Sequence, residues 1–196
     1  MTQSDTKPQL RKHMTLKTIV SVTRDWAIGA GNDLLIYNPQ DMAYFKEHTT
    51  GDIVIMGWNT LCSLPSQKPL PKRRNVVLYD NVNFTQQMAA ERGFEVVHSL
   101  DELFATLKTP DPAGLIETNT AWSIGGAMLY HTLLPYCEEA LVTMNDVEMA
   151  AQADVFFPNL LENKDWELTH EIDGGRTKEG FTYAFQTYRN EIPRPW

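Results

Sequence analysis

Residues 52–57 read DIVIMG and residues 75–79 read NVVLY. Successive side chains of a strand point to opposite faces, so a strand on a solvated sheet surface alternates apolar with polar residues. Neither run alternates. Both are apolar on both faces, as strands buried within a mainly parallel sheet must be. Parallel neighbours need a crossover between them, usually a helix on one face of the sheet, and the crossover is right-handed. The remaining pattern supplies such crossovers. A helix is expected over 39–49, opened by Asn38 as cap and Pro39 in the first position, where its missing N–H is no loss. Another is expected over 58–64, ended by Pro65. Ser99-Leu-Asp-Glu102 forms a capping box for a helix over 99–108. Gly125-Gly126 precedes a fourth, running to Leu134.

Further strands are expected over 17–23 (KTIVSVT), 94–98, 121–124 and 140–145, with loops over 24–38 and 109–119. Residues 166–172 and 181–189 are expected to form a closing antiparallel pair that turns at Asp173-Gly174-Gly175. The fold class is therefore α/β: a single-domain mixed, mainly parallel sheet with flanking helices and an antiparallel C-terminal edge. The domain is expected over 17–190, between a disordered tail over 1–16 and a short tail over 191–196.

The net charge of −8, with no basic run longer than Lys72-Arg73-Arg74, argues against a nucleic-acid or anionic-membrane partner. Cys62 and Cys137 are the only cysteines and are far apart. That excludes a disulfide framework or a C-x-x-C metal site and fits a reducing, cytoplasmic setting. No apolar run approaches the length of a membrane helix, and the N-terminus lacks the apolar core of a secretory signal. The chain is expected to be a monomer that holds no metal.

Ligands of such sheets bind at the carboxyl ends of the strands, here Thr23, Gly57, Tyr79, Gly125 and Asn145. Two of those ends carry glycine ahead of a helix, Gly57-Trp-Asn-Thr60 and Gly125-Gly126-Ala-Met128, which lets a backbone approach phosphate closely. Neither matches G-x-G-x-x-G, so the ordinary dinucleotide fingerprint is absent. Asp41 falls on the first turn of the helix over 39–49, on one face with Phe45. An acid there gains about 0.3–1 kcal/mol from the helix dipole whether or not it has a further task.

These segments together resemble dihydrofolate reductase over roughly Thr18 to Arg189. The matching stretches are Asp25-Trp-Ala-Ile-Gly29, Pro39-Gln-Asp41-Met-Ala-Tyr-Phe45-Lys46, Ile55-Met-Gly57-Trp-Asn-Thr60, Leu70-Pro71 with Arg73, Ile124-Gly125-Gly126, Tyr130, Thr143 and Asp154-Val-Phe-Phe157-Pro158. The resemblance implies reduction of 7,8-dihydrofolate to tetrahydrofolate by hydride transfer from NADPH, with NADH as the other possible donor. It implies that Asp41 is the carboxylate of the pterin pocket, pairing with a ring nitrogen and an amino group side by side, and that Thr143 steadies it. Ile19, Met42, Phe45, Leu64, Leu70 and Ile124 would line the substrate slot, although Leu70 serves ordinary core packing equally well. Arg73 would meet the glutamate tail, a task suited to its planar fork, while Arg74 faces solvent. Ser21, Ile28 and Asn32 would surround the nicotinamide with Tyr130. Gly57, Trp58, Asn59, Thr60, Tyr79, Asp80, Gly125, Gly126, Ala127, Met128 and Leu129 would cradle the dinucleotide, with a cis bond between Gly125 and Gly126.

Two departures stand out. The family usually has Pro-Trp where this chain has Leu35-Ile36, and isoleucine cannot donate a hydrogen bond; Tyr37 is adjacent but expected to point the other way. The family also usually offers the cofactor's 2′-phosphate a basic residue after the first glycine, hydroxyls after the third strand and an arginine after the Gly-Gly turn. Those positions are Trp58, Tyr79 with Asp80, and Met128 here. Lys72 or Arg74 would have to compensate. Two rival readings follow: another pteridine or pyrimidine reductase on the same fold, and a non-enzymatic relative that kept the pocket.

Overall fold

The computed structural model describes residues 13–31, 33–116 and 118–196. Eight strands form the main sheet: β1 (Thr15–Thr23), β4 (Ile53–Gly57), β5 (Arg74–Leu78), β6 (Glu95–Val97), β7 (Thr120–Ser123), β8 (Glu139–Asn145), β10 (Trp166–Arg176) and β11 (Thr182–Asn190). Their order is β10-β11-β8-β1-β7-β4-β5-β6. All pairs from β8 to β6 are parallel, whereas β11 runs antiparallel to β8 and β10 antiparallel to β11. This is the mixed sheet with an antiparallel C-terminal edge that the sequence predicts.

The flanking helices are α1 (Pro39–Thr49), α2 (Trp58–Ser63), α3 (Gln86–Ala90), α4 (Leu100–Leu107) and α5 (Ala127–Leu133), the last continued by a 3-10 turn over Leu134–Tyr136. The double-sided apolar runs are explained by two cores. Ile53, Ile55 and Val76 pack on one face with Leu103 and Leu107 of α4 and Leu129 and Leu133 of α5. Val54, Met56 and Val77 pack on the other with Leu61 of α2, Ala89 of α3 and Phe45 of α1.

The structure differs from the sequence reading in four places. Residues 24–38 are not all loop: β2 (Ala27–Ala30) and β3 (Asp33–Leu34) join β9 (Val155–Phe156) in a small second sheet, ordered β3-β2-β9. α3, one and a half turns long, was not anticipated. Asp173-Gly174-Gly175 is a bulge inside β10, not the hairpin turn. A side chain at Gly174 would begin 2.1 Å from the ring of Tyr183, so the glycine gives room for that ring. The turn comes after Arg176. Finally, the expected N-terminal tail over 1–16 falls largely outside the described residues, and Thr15 and Leu16 already pair with Thr120 and Ala121 of β7. At the other end, Trp196 stacks on Phe104 of α4 with ring centres 5.0 Å apart.

Candidate active site

Asp41 is delivered by the start of α1. Asn38 caps the helix, its Oδ1 accepting from the Gln40 N–H at 3.1 Å, and Pro39 takes the first position. Asp41 then turns inward and is 6% exposed. Burial pushes its carboxyl above the usual carboxylate range, and a hydrogen bond with the Thr143 side chain opposes that shift in part. Thr143 lies on β8, opposite Ser21 of β1 on one side and Phe185 of β11 on the other. Tyr44 of α1 stacks on Phe185 at 4.2 Å, which seats the helix over these strands. The Tyr130 hydroxyl donates to the Ile19 carbonyl at 3.0 Å. Burial raises its pKa strongly, and the charge of Asp41 adds to the effect. Ile19, Asp41, Tyr130 and Thr143 therefore share one buried polar region in an otherwise apolar setting. Half-buried Phe45, Leu64, Leu70 and Ile124 pack against the core cluster that contains Ile19, and Met42, next to Asp41 on α1, is also half-buried.

Arg73 and Arg74 precede and begin β5, and both are buried. Arg74 does not face solvent as expected. Its Nε and Nη2 donate to the two carboxylate oxygens of Glu95 at 2.7 and 2.8 Å, and its Nη1 to the Thr109 carbonyl at 3.0 Å. Arg73 is held differently. Its Nε donates to Thr49 Oγ1 at 2.8 Å, Nη1 to the Pro71 carbonyl at 2.8 Å and Nη2 to the Lys46 carbonyl at 3.2 Å. A guanidinium has five N–H groups, so each terminal nitrogen of Arg73 keeps one in reserve. No carboxylate lies in ion-pair contact with Arg73 among the described residues. The group sits 5.8 Å from the ring centre of Phe45.

The glycine-bearing strand ends meet. Gly57 N–H donates to the Gly125 carbonyl at 2.7 Å, and the Gly125–Gly126 bond is cis. A Cβ at Gly125, whose φ is +111°, would lie 3.3 Å from both Thr60 Oγ1 and the Tyr130 ring. α2 and α5 thus start side by side with bare backbone between them, a cradle that larger residues would fill. Beyond it, Trp58 stacks on Tyr79 with ring centres 4.5 Å apart and planes 14° apart. Phe84 meets Trp58 edge-on at 5.0 Å. Asn59, Asp80 and Met128 are exposed, Ala127 is half-buried and Leu129 buried.

The loop after β1 closes the region on the other side. Asp25 accepts from the Thr23 hydroxyl and from the Met149 and Ala150 N–H groups, the latter two at 3.0 and 2.6 Å. What burial it has raises its pKa, but these bonds outweigh that and leave it low. Asp154 accepts from the Gly31 N–H at 3.0 Å. A cavity of about 10 Å³ remains between Ser21, Ile28, Leu35, Ile36 and Asn145, room for one water molecule. Asn145 donates to the Ser21 hydroxyl at 3.0 Å and to the Val22 carbonyl at 2.9 Å, leaving its Oδ1 without a partner. Tyr37 is 71% exposed and points away. Asn32 lies outside the described residues. A larger hollow of about 430 Å³ opens at the amino ends of β1, β7 and β8, near Lys17, Glu139 and Arg189. It lies at the wrong end of the sheet for the chemistry above, and its charges pair with one another and with nearby acids.

Residues 15–190 match the family model for dihydrofolate reductase. The chain belongs to the dihydrofolate reductase family. It is 30% identical to the dihydrofolate reductase of Neisseria meningitidis serogroup A over 175 residues, 89% of this chain and 98% of the other. It is 39% identical to that of Mycobacterium tuberculosis over 137 residues, 69% of this chain and 74% of the other. With the Bacillus subtilis enzyme it shares 32% over 165 residues, 84% and 88% of the two chains. In fold it is similar to dihydrofolate reductase from Enterococcus faecalis complexed with NADP(H) and RAB-propyl. The TM-score is 0.74 at 24% identity, covering 90% of this chain and 96% of that one.

Among the described residues of this family member, no cluster of His, Cys, Asp or Glu suits a metal ion. None of the helices among the described residues is long and apolar enough to cross a membrane. Three contributors escaped sequence reasoning. Thr49, which anchors Arg73, and Phe84, which braces Trp58, lie outside the quoted motifs. Asn145 reads from the sequence only as a strand end.

Proposed function

We propose that this family member reduces 7,8-dihydrofolate to tetrahydrofolate in the cytoplasm as a monomer, feeding one-carbon metabolism. The observation that carries the reading is the buried Asp41–Thr143 pair, with Phe45 one turn further along α1 and the Arg73 guanidinium 5.8 Å from its ring centre. Asp41 accepts hydrogen bonds from the pterin, and its Thr143 bond fixes the orientation in which it does so. Phe45, Met42 and Ile124 exclude water around the rings, which strengthens those bonds. The two uncommitted N–H groups of Arg73 suit a carboxylate, the chemistry of the substrate's glutamate tail. The glycine cradle between α2 and α5 admits a dinucleotide backbone. A reduced nicotinamide supplies the hydride when bound, and the chain contributes orientation and exclusion of solvent.

The test is to mix the protein with dihydrofolate and NADPH or NADH and follow the nicotinamide absorbance. Loss of absorbance that requires both dihydrofolate and protein is expected. Absorbance that stays constant with both substrates and protein present would overturn the reading.

A further inference from the structure

The carboxyl end of β5 carries the cofactor half of the cleft, and its chemistry is unusual. β4 and β5 are adjacent and parallel, with Gly57 opposite Leu78. β4 ends in the glycine turn, and two residues beyond β5 stands Asp80, exposed. In doubly wound sheets an acid near the end of a neighbouring strand accepts the adenosine ribose 2′-hydroxyl, whereas an arginine there accommodates a 2′-phosphate. Among the described residues, no arginine or other cation is in ion-pair contact with Asp80. Arg74 is spent on Glu95 and Thr109, and Arg73 is turned toward α1. Arg92 covers the ring of Phe84 at 5.8 Å. His98 bonds the Tyr79 carbonyl through Nδ1 at 2.7 Å.

What the strand end offers is aromatic surface. Trp58 and Tyr79 form one stacked unit, and Phe84 supports it from beneath. On α5, beside the start of α2, Met128 is 82% exposed. A purine ring can stack on such surface without regard to a phosphate elsewhere on the ribose.

Resting on the reading of the cleft as a dinucleotide site, we infer that this protein does not select for the 2′-phosphate and binds the NAD and NADP forms of the cofactor comparably. Asp80 is the residue that sets this ratio: it accepts the free 2′-hydroxyl and repels a phosphate, while Trp58 and Tyr79 hold the base in either case.

Equilibrium binding of NADH and NADPH to the whole protein, measured by calorimetry without folate, tests it. Dissociation constants within about tenfold of each other are expected. Asp80→Ser should shift the ratio toward NADPH by about tenfold, the size of one like-charge contact at a partly exposed site. That shift should shrink with added salt, because exposed charges are screened over about 10 Å at 0.1 M. Trp58→Ala should weaken both cofactors alike. Tighter binding of NADPH by more than tenfold in the native protein overturns the inference. So does an unchanged ratio in Asp80→Ser. If neither dinucleotide binds, the dinucleotide reading of the cleft itself fails, and this inference with it.

Discussion

Arg73 and Arg74 are adjacent in the chain and nearly equally buried, yet they end differently. Arg74 is completed by the protein: both oxygens of Glu95 and a carbonyl take its protons. Arg73 is anchored by a hydroxyl and two carbonyls, none of them charged. The buried acids divide in the same way. Asp52 receives the Trp122 indole N–H at 2.7 Å and the Thr118 hydroxyl, whereas Asp41, among the described residues, has Thr143, whose bond offsets only part of the effect of its own burial. A buried charge costs stability unless it is paired and hydrogen-bonded. Charges that the chain completes hold strands together. On the proposed reading, charges left incomplete lie where a ligand would complete them: Phe45 follows Asp41 one turn along α1, and the Arg73 guanidinium sits 5.8 Å from its ring centre.

The sharpest way to break this division is at Asp41. Asp41→Asn should lower kcat/KM for dihydrofolate at neutral pH by at least about 10²-fold, the scale of losing an acid–base group. Activity should recover partly at low pH, where the substrate arrives protonated. Undiminished turnover at neutral pH would make Asp41 an ordinary helix-start acid.

The two arginines give the next largest effect and a built-in control. Arg73→Ala should weaken folate binding by about 2–5 kcal/mol, as for a desolvated charge pair, and spare a pterin lacking the glutamate tail. Arg74→Ala should leave the discrimination between the two ligands unchanged. It strands Glu95 beside β5 and should reduce folding stability by about 2–3 kcal/mol, near the low end for breaking a buried pair because Glu95 is partly exposed. Denaturant unfolding and ligand titration of both variants decide it. Equal losses for both ligands in Arg73→Ala would make that residue structural.

Much of this contrast was legible in the sequence, and what was not has a physical reason. The buried strands announced themselves because both faces are apolar. α1 was readable from Asn38 and Pro39, since capping is local. The roles expected of Asp41 and Arg73 came from the resemblance to the family. The fate of Arg74 was invisible because Glu95 is far away in sequence and reaches it only when β6 pairs with β5. β2, β3 and β9 are too short for any period to show, and they exist because Asp154 and the backbone after β1 bond to one another. Asp173-Gly174-Gly175 has a turn's composition, but the glycine serves the ring of Tyr183 across the hairpin.

The smallest effect concerns stability at Asp41, and its sign separates function from fold. Burial raises the native pKa of Asp41 above the ordinary 3.8. Between that value and the raised one, the native state binds more protons than the unfolded chain. Stability from this group therefore falls as pH rises through that window and stays lower above it. Asparagine keeps the shape and an acceptor for Thr143 but carries no charge to desolvate. Asp41→Asn should thus be more stable than the native protein at neutral pH, while losing activity. The advantage should fade as pH falls through the window and vanish below 3.8. Thermal melts across pH read it out, each kcal/mol moving Tm by about 2–4 °C in a chain of this size. A neutral-pH melting point at or below the native one would mean that the protein completes Asp41 after all, and the division drawn from the two arginines would not extend to the acids.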